Sequence, residues 1–346
     1  MAMLSHARCL RASSPIIRRR ISTAADPSTR QIFVSKSTSP HFNLSIEDWL
    51  LKTAPRDQPA LFLYRNAPSV IIGRNQNPWK EVNLAAMQAL GFQLVRRRSG
   101  GGTVFHDLGN TNFSIHLPRA SFDRARTGRV IEHAVRNIMG VYDARTNARN
   151  DLCVGDMKVS GSAYKIAGTR AYHHGTMLIA TRLDSLGDAL RNDKIKMLTK
   201  GVASVRSPVC NLRQWKPDAS HEQFVQAAVE SFRQEFDVER EPAFIDEGDF
   251  QDVQQVRQSI DELQTWECVY GQTPEFTHSL AQDFSWGAVT VDIHSKHGVI
   301  LDASSDACPD LASKLVGRRY GTLDGLDVAA LSTQEREVYD WLLRAM

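Results

Sequence analysis

The chain is short of cysteine, of long apolar runs and of any large excess of one charge, and each shortage removes a class of protein. Cysteine occurs at five of 346 positions, Cys9, Cys153, Cys210, Cys268 and Cys308, with no C-x-x-C pair. That usage argues against a disulfide framework and against a zinc site. No stretch approaches the roughly 18 consecutive apolar residues of a spanning helix, so no membrane segment is expected. Two phosphate-binding signatures are missing as well: no G-K-[ST] closes a Walker loop, and no G-x-G-x-x-G marks a dinucleotide fold. There is no internal repeat and no low-complexity tract.

Charge is nearly balanced, at +3, and the surplus is local. Residues 1–25 carry Arg8, Arg11, Arg18, Arg19 and Arg20 with no lysine and no acid, which leaves 37 bases (42 less these five) against 39 acids in the remainder. The body therefore offers no bulk electrostatic attraction for nucleic acid. The basic, Ser/Ala-rich, acid-free start reads as a mitochondrial transit peptide and places the protein in the mitochondrial matrix.

What is present is an ordinary globular composition, 42% hydrophobic and 23% charged, over a length that suits two folded units. Strands are expected at 31–35, 60–64, 69–73, 109–117, 156–166 and 171–180, and helices at 42–54, 83–90 and across Val130–Met139. The pattern is α+β, with a mixed or antiparallel sheet. Phe224, Ala228, Phe232 and Phe236 repeat at helical spacing behind Ser220, and Ser220 with Gln223 forms a capping-box pattern. The charged segment 237–252 reads as the border of the first unit. Val289, Val291 and Ile293 then alternate with polar residues, SKHG (295–298) turns the chain, and helices follow near 309–316 and 333–345. The organisation expected is a catalytic unit at 30–262 and a small α+β unit at 263–346.

The densest chemistry lies in RRRSGGGTVFHDLGN (96–110). Three consecutive glycines cost backbone entropy, so something must require their freedom. Successive amides of Gly100, Gly101 and Gly102 can form a concavity for phosphate or carboxylate oxygens, bordered by arginines. Along an extended segment Arg96 and Arg98 share one face and Arg97 takes the other. A second stretch, 149–180, carries Lys158 beside Gly161, where a compact ammonium can meet an anion at close backbone approach. His173 and His174 point to opposite faces of a strand, so hydrogen bonding suits them better than one shared metal.

Taken together, RRRSGGGTVFHDLGN, RNDL, KVSGSAYK, HHGTMLIA, RNAPSVIIGRNQNPWKE (65–81) and SVRSPVCNL (204–212) resemble the lipoate-protein ligase A family, from about Ile32 to the end of the chain. The resemblance implies a biotin/lipoate ligase-like catalytic domain, a mixed sheet with packed helices, and a small C-terminal domain. It implies lipoate and ATP as substrates, Mg²⁺ with the nucleotide, and transfer through lipoyl-adenylate. The acceptors it implies are lipoyl domains of 2-oxoacid dehydrogenase E2 subunits and the glycine cleavage H protein, acted on by a monomer. Residue by residue, it assigns catalysis to Lys158. It assigns adenylate binding to Arg97, Ser99, Gly100, Gly101, Gly102, Thr103, Val104, Phe105, Asn150, Asp151 and Lys158, with Asp151 near Mg²⁺. For the lipoyl tail the candidates are Val70, Ile72 and His174, with Lys158 at the carboxyl end. Thr103 stands where bacterial members often have alanine.

Animal lipoyltransferases also resemble the chain, so the alternative is a mitochondrial lipoyl or octanoyl transferase that takes a pre-activated or carrier-bound acyl group. They depart from the ligases at the positions of Asn150 and Gly175, and the RND and HHGT retained here favour the ligase. Biotin ligase shares the fold but not the wording of the motifs.

Overall fold

The computed structural model describes residues 26–184, 197–205 and 207–346. The presequence reading of 1–25 lies outside the described residues. Strands and helices are numbered in chain order. The central sheet has six strands in the order β10 (Ser162–Ala167), β11 (Arg170–Leu178), β6 (Asn110–Pro118), β2 (Ala60–Tyr64), β1 (Ile32–Ser35) and β13 (Ala243–Ile245). It is mixed: β1 runs parallel to β2 and β13, whereas β2–β6, β6–β11 and β11–β10 are antiparallel.

Side-chain alternation gives this sheet two unlike faces. One presents Leu61, Leu63, Phe113, Ile115, Leu117 and Met177 to a core covered by helices α4 (Arg124–His133) and α5 (His221–Phe236). Each large side chain so buried is worth roughly 1.5–3 kcal/mol. The other face carries Asn110, Asn112, Ser114, His116, His174 and Thr176, all buried, under helix α1 (Pro40–Thr53). A buried polar row must find partners. This row floors the cavity described below.

Helix α1 begins at Ser39, whose hydroxyl caps the Phe42 amide at 3.2 Å, followed by Pro40 in the first turn. Its Phe42, Ile46, Trp49 and Leu50 pack with Phe250 and Val256, which places helix α6 (Gln254–Leu263) against it. Beside the main sheet stand a three-stranded sheet, β4 (Gln93–Arg96), β3 (Ser69–Ile72) and β5 (Val104–His106), and another, β7 (Ala144–Thr146), β8 (Leu152–Val154) and β9 (Met157–Ser160). Short helices α2 (Pro78–Glu81) and α3 (Leu84–Ala89) join β3 to β4.

The last sheet is antiparallel, in the order β12 (Met197–Thr199), β14 (Phe276–Phe284), β15 (Gly287–Lys296) and β16 (Val299–Ser304). Helix α7 (Trp266–Val269) precedes it, and helices α8 (Pro309–Leu315) and α9 (Thr333–Ala345) complete its core. His297 and Gly298 take positive φ, 54° and 70°, as a two-residue turn of the expected hairpin requires. Two features fasten this sheet to the rest. Strand β12 comes from the segment before α5, and Trp79 of α2 stacks among Tyr270, Phe276 and Tyr320 at 5.2, 5.8 and 4.9 Å.

Four expectations are refined. The strand expected over 156–166 breaks at Gly161, where the chain leaves β9 and enters β10 in a different sheet. The border segment contributes β13, the edge strand beside β1. The capping box at Ser220 is half made: its hydroxyl accepts from the Gln223 amide at 3.2 Å, while the Gln223 side chain turns to Asp218 at 3.3 Å. The helix expected across 130–139 also widens into a π turn over Ala134–Ile138 before Gly140 ends it at φ 80°.

Asp48 of α1 ties several elements together. This carboxylate is 3% exposed and meets Lys165 of β10 at 2.8 Å, Lys52 at 2.5 Å and Arg98 at 3.4 Å. Burial opposes its charge, but these cations prevail and hold its carboxyl below the usual range. A lowered folded value means that the stabilisation is full above the unfolded value and is lost as pH falls through the folded one. Asp48→Asn should therefore cost about 2 kcal/mol at neutral pH, because it leaves the half-buried Lys165 and Arg98 without their carboxylate. In thermal unfolding followed against pH, the gap between wild type and variant should close below about pH 4; a constant gap would remove the ion pairs as its cause.

Candidate functional site

A cavity of about 270 Å³ opens where the three-stranded β3 sheet, the polar face of the main sheet and the β9–β10 break converge. Burial orients it. Leu44, Tyr64, Ile71, His106 and Asn112 line an inner end closed to solvent, while Arg149, Val202 and Val205 lie exposed at the mouth. Lys158 stands between, its side chain 22% exposed.

Lys158 is placed by backbone. Strand β9 pairs with β8 on one side and bridges Val209 on the other. Its ammonium meets Asp151 Oδ1 at 3.0 Å. Asp151 is itself fixed by amides, donating its own N–H to Asn147 Oδ1 at 3.0 Å and accepting from the Ser162 amide at 3.3 Å. A Cβ on Gly161 would sit 3.1 Å from Lys158 Cε and Nζ, so the glycine makes room for the ammonium. Gly175 has the same character: a Cβ there would meet Phe113 Cζ and the Gly161 carbonyl at 2.5 Å.

The glycine loop is braced from two sides. Arg97 is buried, and its guanidinium donates to the carbonyls of Ile71, Gly100 and Gly102 at 3.1, 2.7 and 2.7 Å and to Ser99 Oγ at 3.0 Å. Burial pushes Arg97 down to about 10, so it stays charged near neutrality. Since arginine only donates, Ser99 accepts from it, and the same hydroxyl is hydrogen-bonded to His174 Nε2 at 2.7 Å. His174 Nδ1 then faces Glu47 at 2.9 Å, and Glu47 also accepts from Tyr64 Oη at 3.0 Å. Burial, then Glu47, raise the Tyr64 phenol well above its usual value, which keeps it a donor. On the outer side the Thr103 amide donates to Ser204 Oγ at 3.0 Å, and Ser204 donates to Glu81 at 2.5 Å. The loop at 202–205 thus roofs the glycine segment.

Of the residues expected at the site, Arg97, Gly101, Gly102, Thr103, Val104, Asp151, Lys158 and His174 line the cavity. Ser99 and Gly100 lie just behind them, holding Arg97. Val70, Ile72 and Phe105 are corrected to core positions. Their side chains pack with Val82 and Met87, and the period of two puts Ile71, between Val70 and Ile72, on the cavity wall instead. Asn150 is not among the lining residues. It takes φ 60° in a turn, and its carbonyl accepts from Ser162 Oγ at 2.7 Å. Arg96 and Arg98 face away, as alternation required: Arg96 clamps the carbonyls of Gly73, Gln76 and Val269, and Arg98 meets Glu262 at 2.8 Å.

The two histidines act through hydrogen bonds, as expected. His173 lies on the opposite face, bonded to Thr127 at 2.9 Å and Ser162 at 2.8 Å. Sequence reasoning did not find Glu47, Tyr64, His106, Asn112 or Ser204. Alternation within β2 and β6 could have found Tyr64 and Asn112 once one face of the sheet was known to meet the cavity. The others are brought in by α1, β5 and the roof loop. No group of three or more potential metal-ligating side chains occurs among the described residues.

Known proteins resemble this chain in sequence and in fold. Residues 39–233 match the model of the lipoyl protein ligase A/B catalytic domain. The chain is 38% identical over 280 residues to a lipoate-protein ligase A of Psychrobacter cryohalolentis, covering 79% of this chain and 81% of that protein. LipL1 of P. falciparum, solved in complex with lipoate, aligns at TM-score 0.64 and 28% identity over 91% of this chain and 99% of its own. The bipartite lipoate protein ligase of Thermoplasma acidophilum, from a study that includes its E2 lipoyl domain, gives TM-score 0.58 and 28% identity over 69% and 96%. A lipoate-protein ligase A bound with ATP gives 0.58 and 25% over 70% and 98%. The fold is the biotin/lipoate ligase-like α+β class, and the chain belongs to the lipoate-protein ligase A family. It is a protein-lipoylating ligase by that membership.

One close approach tests the loop geometry. A Cβ on Gly73 would overlap the Gly101 carbonyl oxygen. Gly73→Ala should cost about 2 kcal/mol in thermal or denaturant unfolding by forcing the loop out of place. Full stability would show that the two loops are not in contact.

Proposed function

We propose that the protein activates lipoate with ATP and transfers the lipoyl group to a lysine of an acceptor lipoyl domain. In the first step a carboxylate oxygen attacks the α-phosphorus, forming a P–O bond as pyrophosphate leaves. Two anions must approach, so the requirement is fixed positive charge and donors aimed at the developing charge. The observation that carries the reading is Lys158. Its side chain lines the cavity with the glycine loop, its ammonium is held by one carboxylate oxygen, and Gly161 leaves it the room that a Cβ would take.

In this reading the acyl tail enters first, toward Tyr64, Ile71 and Leu44, and its carboxylate stops at Lys158. The nucleotide lies toward Gly102, Thr103 and the roof loop. Arg97 keeps the glycine segment in place and supplies positive potential from behind it. Asp151 offers one carboxylate, and with phosphate oxygens and water that is a donor set suited to Mg²⁺, which would neutralise phosphate charge. In the second step the acceptor ε-amine, deprotonated, attacks the acyl carbon and AMP leaves; the mixed anhydride needs no covalent enzyme intermediate.

The acceptors in this reading are lipoyl domains of 2-oxoacid dehydrogenase E2 subunits and the glycine cleavage H protein, met by a monomer. Family membership and the relative studied with its E2 lipoyl domain support the class of acceptor. The arginine-rich, acid-free residues 1–25 support import into the mitochondrial matrix.

Purified residues 26–346 should exchange labelled pyrophosphate into ATP only when lipoate is added. Lys158→Ala should lower that exchange at least a thousandfold, on the order of what a fixed charge supplies in phosphoryl transfer, while thermal unfolding changes little. Lack of exchange together with transfer from synthetic lipoyl-adenylate would select the transferase that takes a pre-activated group. A reporter fused behind the full chain should enter mitochondria and should stay in the cytosol without residues 1–25. Import of the truncated fusion would defeat the targeting assignment.

A further inference from the structure

The turn that follows β3 is fixed more firmly than the loops it touches. Buried Arg96 donates to the carbonyls of Gly73, Arg74 and Gln76 at 3.2, 3.0 and 2.7 Å, so the backbone of residues 73–76 is anchored. This turn stands between the glycine segment and the roof loop. The Arg74 amide donates to the Ser99 carbonyl at 2.8 Å, and the Val202 amide donates to the Asn75 carbonyl at 2.9 Å.

Gln76 is wholly buried in that turn and is not among the residues lining the cavity. Its amide has one orientation, because the Gly73 N–H can only donate and meets Oε1 at 2.8 Å. Oε1 therefore also accepts from Thr103 Oγ1, at 2.9 Å. The amino group faces the other way, toward Ser204 Oγ at 3.0 Å, Glu81 Oε2 at 3.2 Å and the Val202 carbonyl at 3.3 Å. Ser204 uses its own hydrogen on Glu81 and accepts from the Thr103 amide as well. One side chain thus joins the glycine segment at its oxygen and the roof at its nitrogen.

Apolar burial contributes little to the roof. Val202 and Val205 are 48% and 63% exposed, so hydrogen bonds hold this loop down. A loop held in this way belongs to the low-stability end of a fold and opens when a bond is lost. Thr103 lines the cavity, so the hydroxyl that reaches Gln76 belongs to a residue at the nucleotide end. We infer that Gln76, acting through Thr103 and Ser204, is a positioning residue that keeps the roof loop on the glycine segment and so sets how tightly ATP and the acyl-adenylate are held. This rests on the proposed function for where the nucleotide lies, and it goes beyond it by naming a residue that touches neither substrate.

The test is pyrophosphate exchange by the full chain, with the KM of ATP and of lipoate measured separately, together with the dissociation rate of synthetic lipoyl-adenylate. Gln76→Glu keeps an acceptor toward Gly73 and Thr103, removes the donors and sets a second carboxylate against Glu81. It should raise the KM of ATP and the adenylate dissociation rate on the order of thirtyfold, the size of lost hydrogen bonds to a charged partner, and leave the KM of lipoate nearly unchanged. Thr103→Val removes a single neutral hydrogen bond at nearly constant shape, should move the same two quantities about fivefold, and serves if Gln76→Glu does not fold. Thr103→Ser, which retains a hydroxyl, should recover most of that loss. Unchanged ATP and adenylate values in both Gln76→Glu and Thr103→Val would overturn the inference. So would equal weakening of ATP and lipoate with no recovery in Thr103→Ser, the mark of a merely structural role; the proposed function would survive either result. A wild type that exchanges no pyrophosphate would remove the proposed function instead, and the adenylate dissociation rates would still decide the role of Gln76.

Discussion

A buried-side carboxylate facing an ammonium across 3.0 Å, with a glycine beside it that leaves the ammonium room, organises this molecule. Asp151 is held by backbone amides, so Lys158 rests in one place before any substrate arrives, and the cost of ordering a long side chain is met during folding. The break at Gly161 follows from the same requirement. The strand that delivers Lys158 cannot also be the strand that closes the main sheet. One residue without a side chain lets the backbone change sheets while leaving the ammonium clear. Moving that break by one position would reverse which side chains face the cavity.

The second constraint is the two-faced main sheet. Leu61, Leu63, Phe113 and Ile115 on one side give an ordinary apolar core under α4 and α5. The other side buries a polar row that a simple helix-covered sheet would avoid, and its hydrogen bonds are spent on the site. The chain Arg97–Ser99–His174–Glu47–Tyr64 links the glycine loop to α1 and β2. Asp48, next to Glu47, fastens the same helix to β10 and to Arg98. Consecutive acids on one helix thus serve different ends: one orients the wall of the cavity and its neighbour holds the surrounding elements together. The C-terminal sheet belongs to this arrangement too, because β12 runs directly into the roof loop that Ser204 pins to the glycine segment.

Much of this was legible in the sequence where the signal is local. Strands at 60–64 and 69–73 and the 42–54 helix follow from apolar spacing, and the glycine run with Lys158 beside Gly161 follows from residue chemistry. Alternation also separated Arg97 from Arg96 and Arg98. The resemblance named Val70 and Ile72 instead of Ile71 because a short buried strand such as SVII is apolar on both faces, and only tertiary packing says which face meets a ligand. Glu47, His106 and Ser204 were illegible for another reason. Glu47 and Ser204 lie far along the chain from the loop they support, His106 lies close to it but within a strand, and a lone acid, histidine or serine carries no spacing signal of its own.

The most direct measurement is the position of Lys158 in a crystal containing a non-hydrolysable analogue of lipoyl-adenylate. The account predicts Nζ within hydrogen-bonding distance of both the acyl and the phosphoryl oxygens of the linkage, with the tail against Tyr64 and Ile71. An analogue bound with its linkage remote from an ammonium still paired only to Asp151 would contradict it.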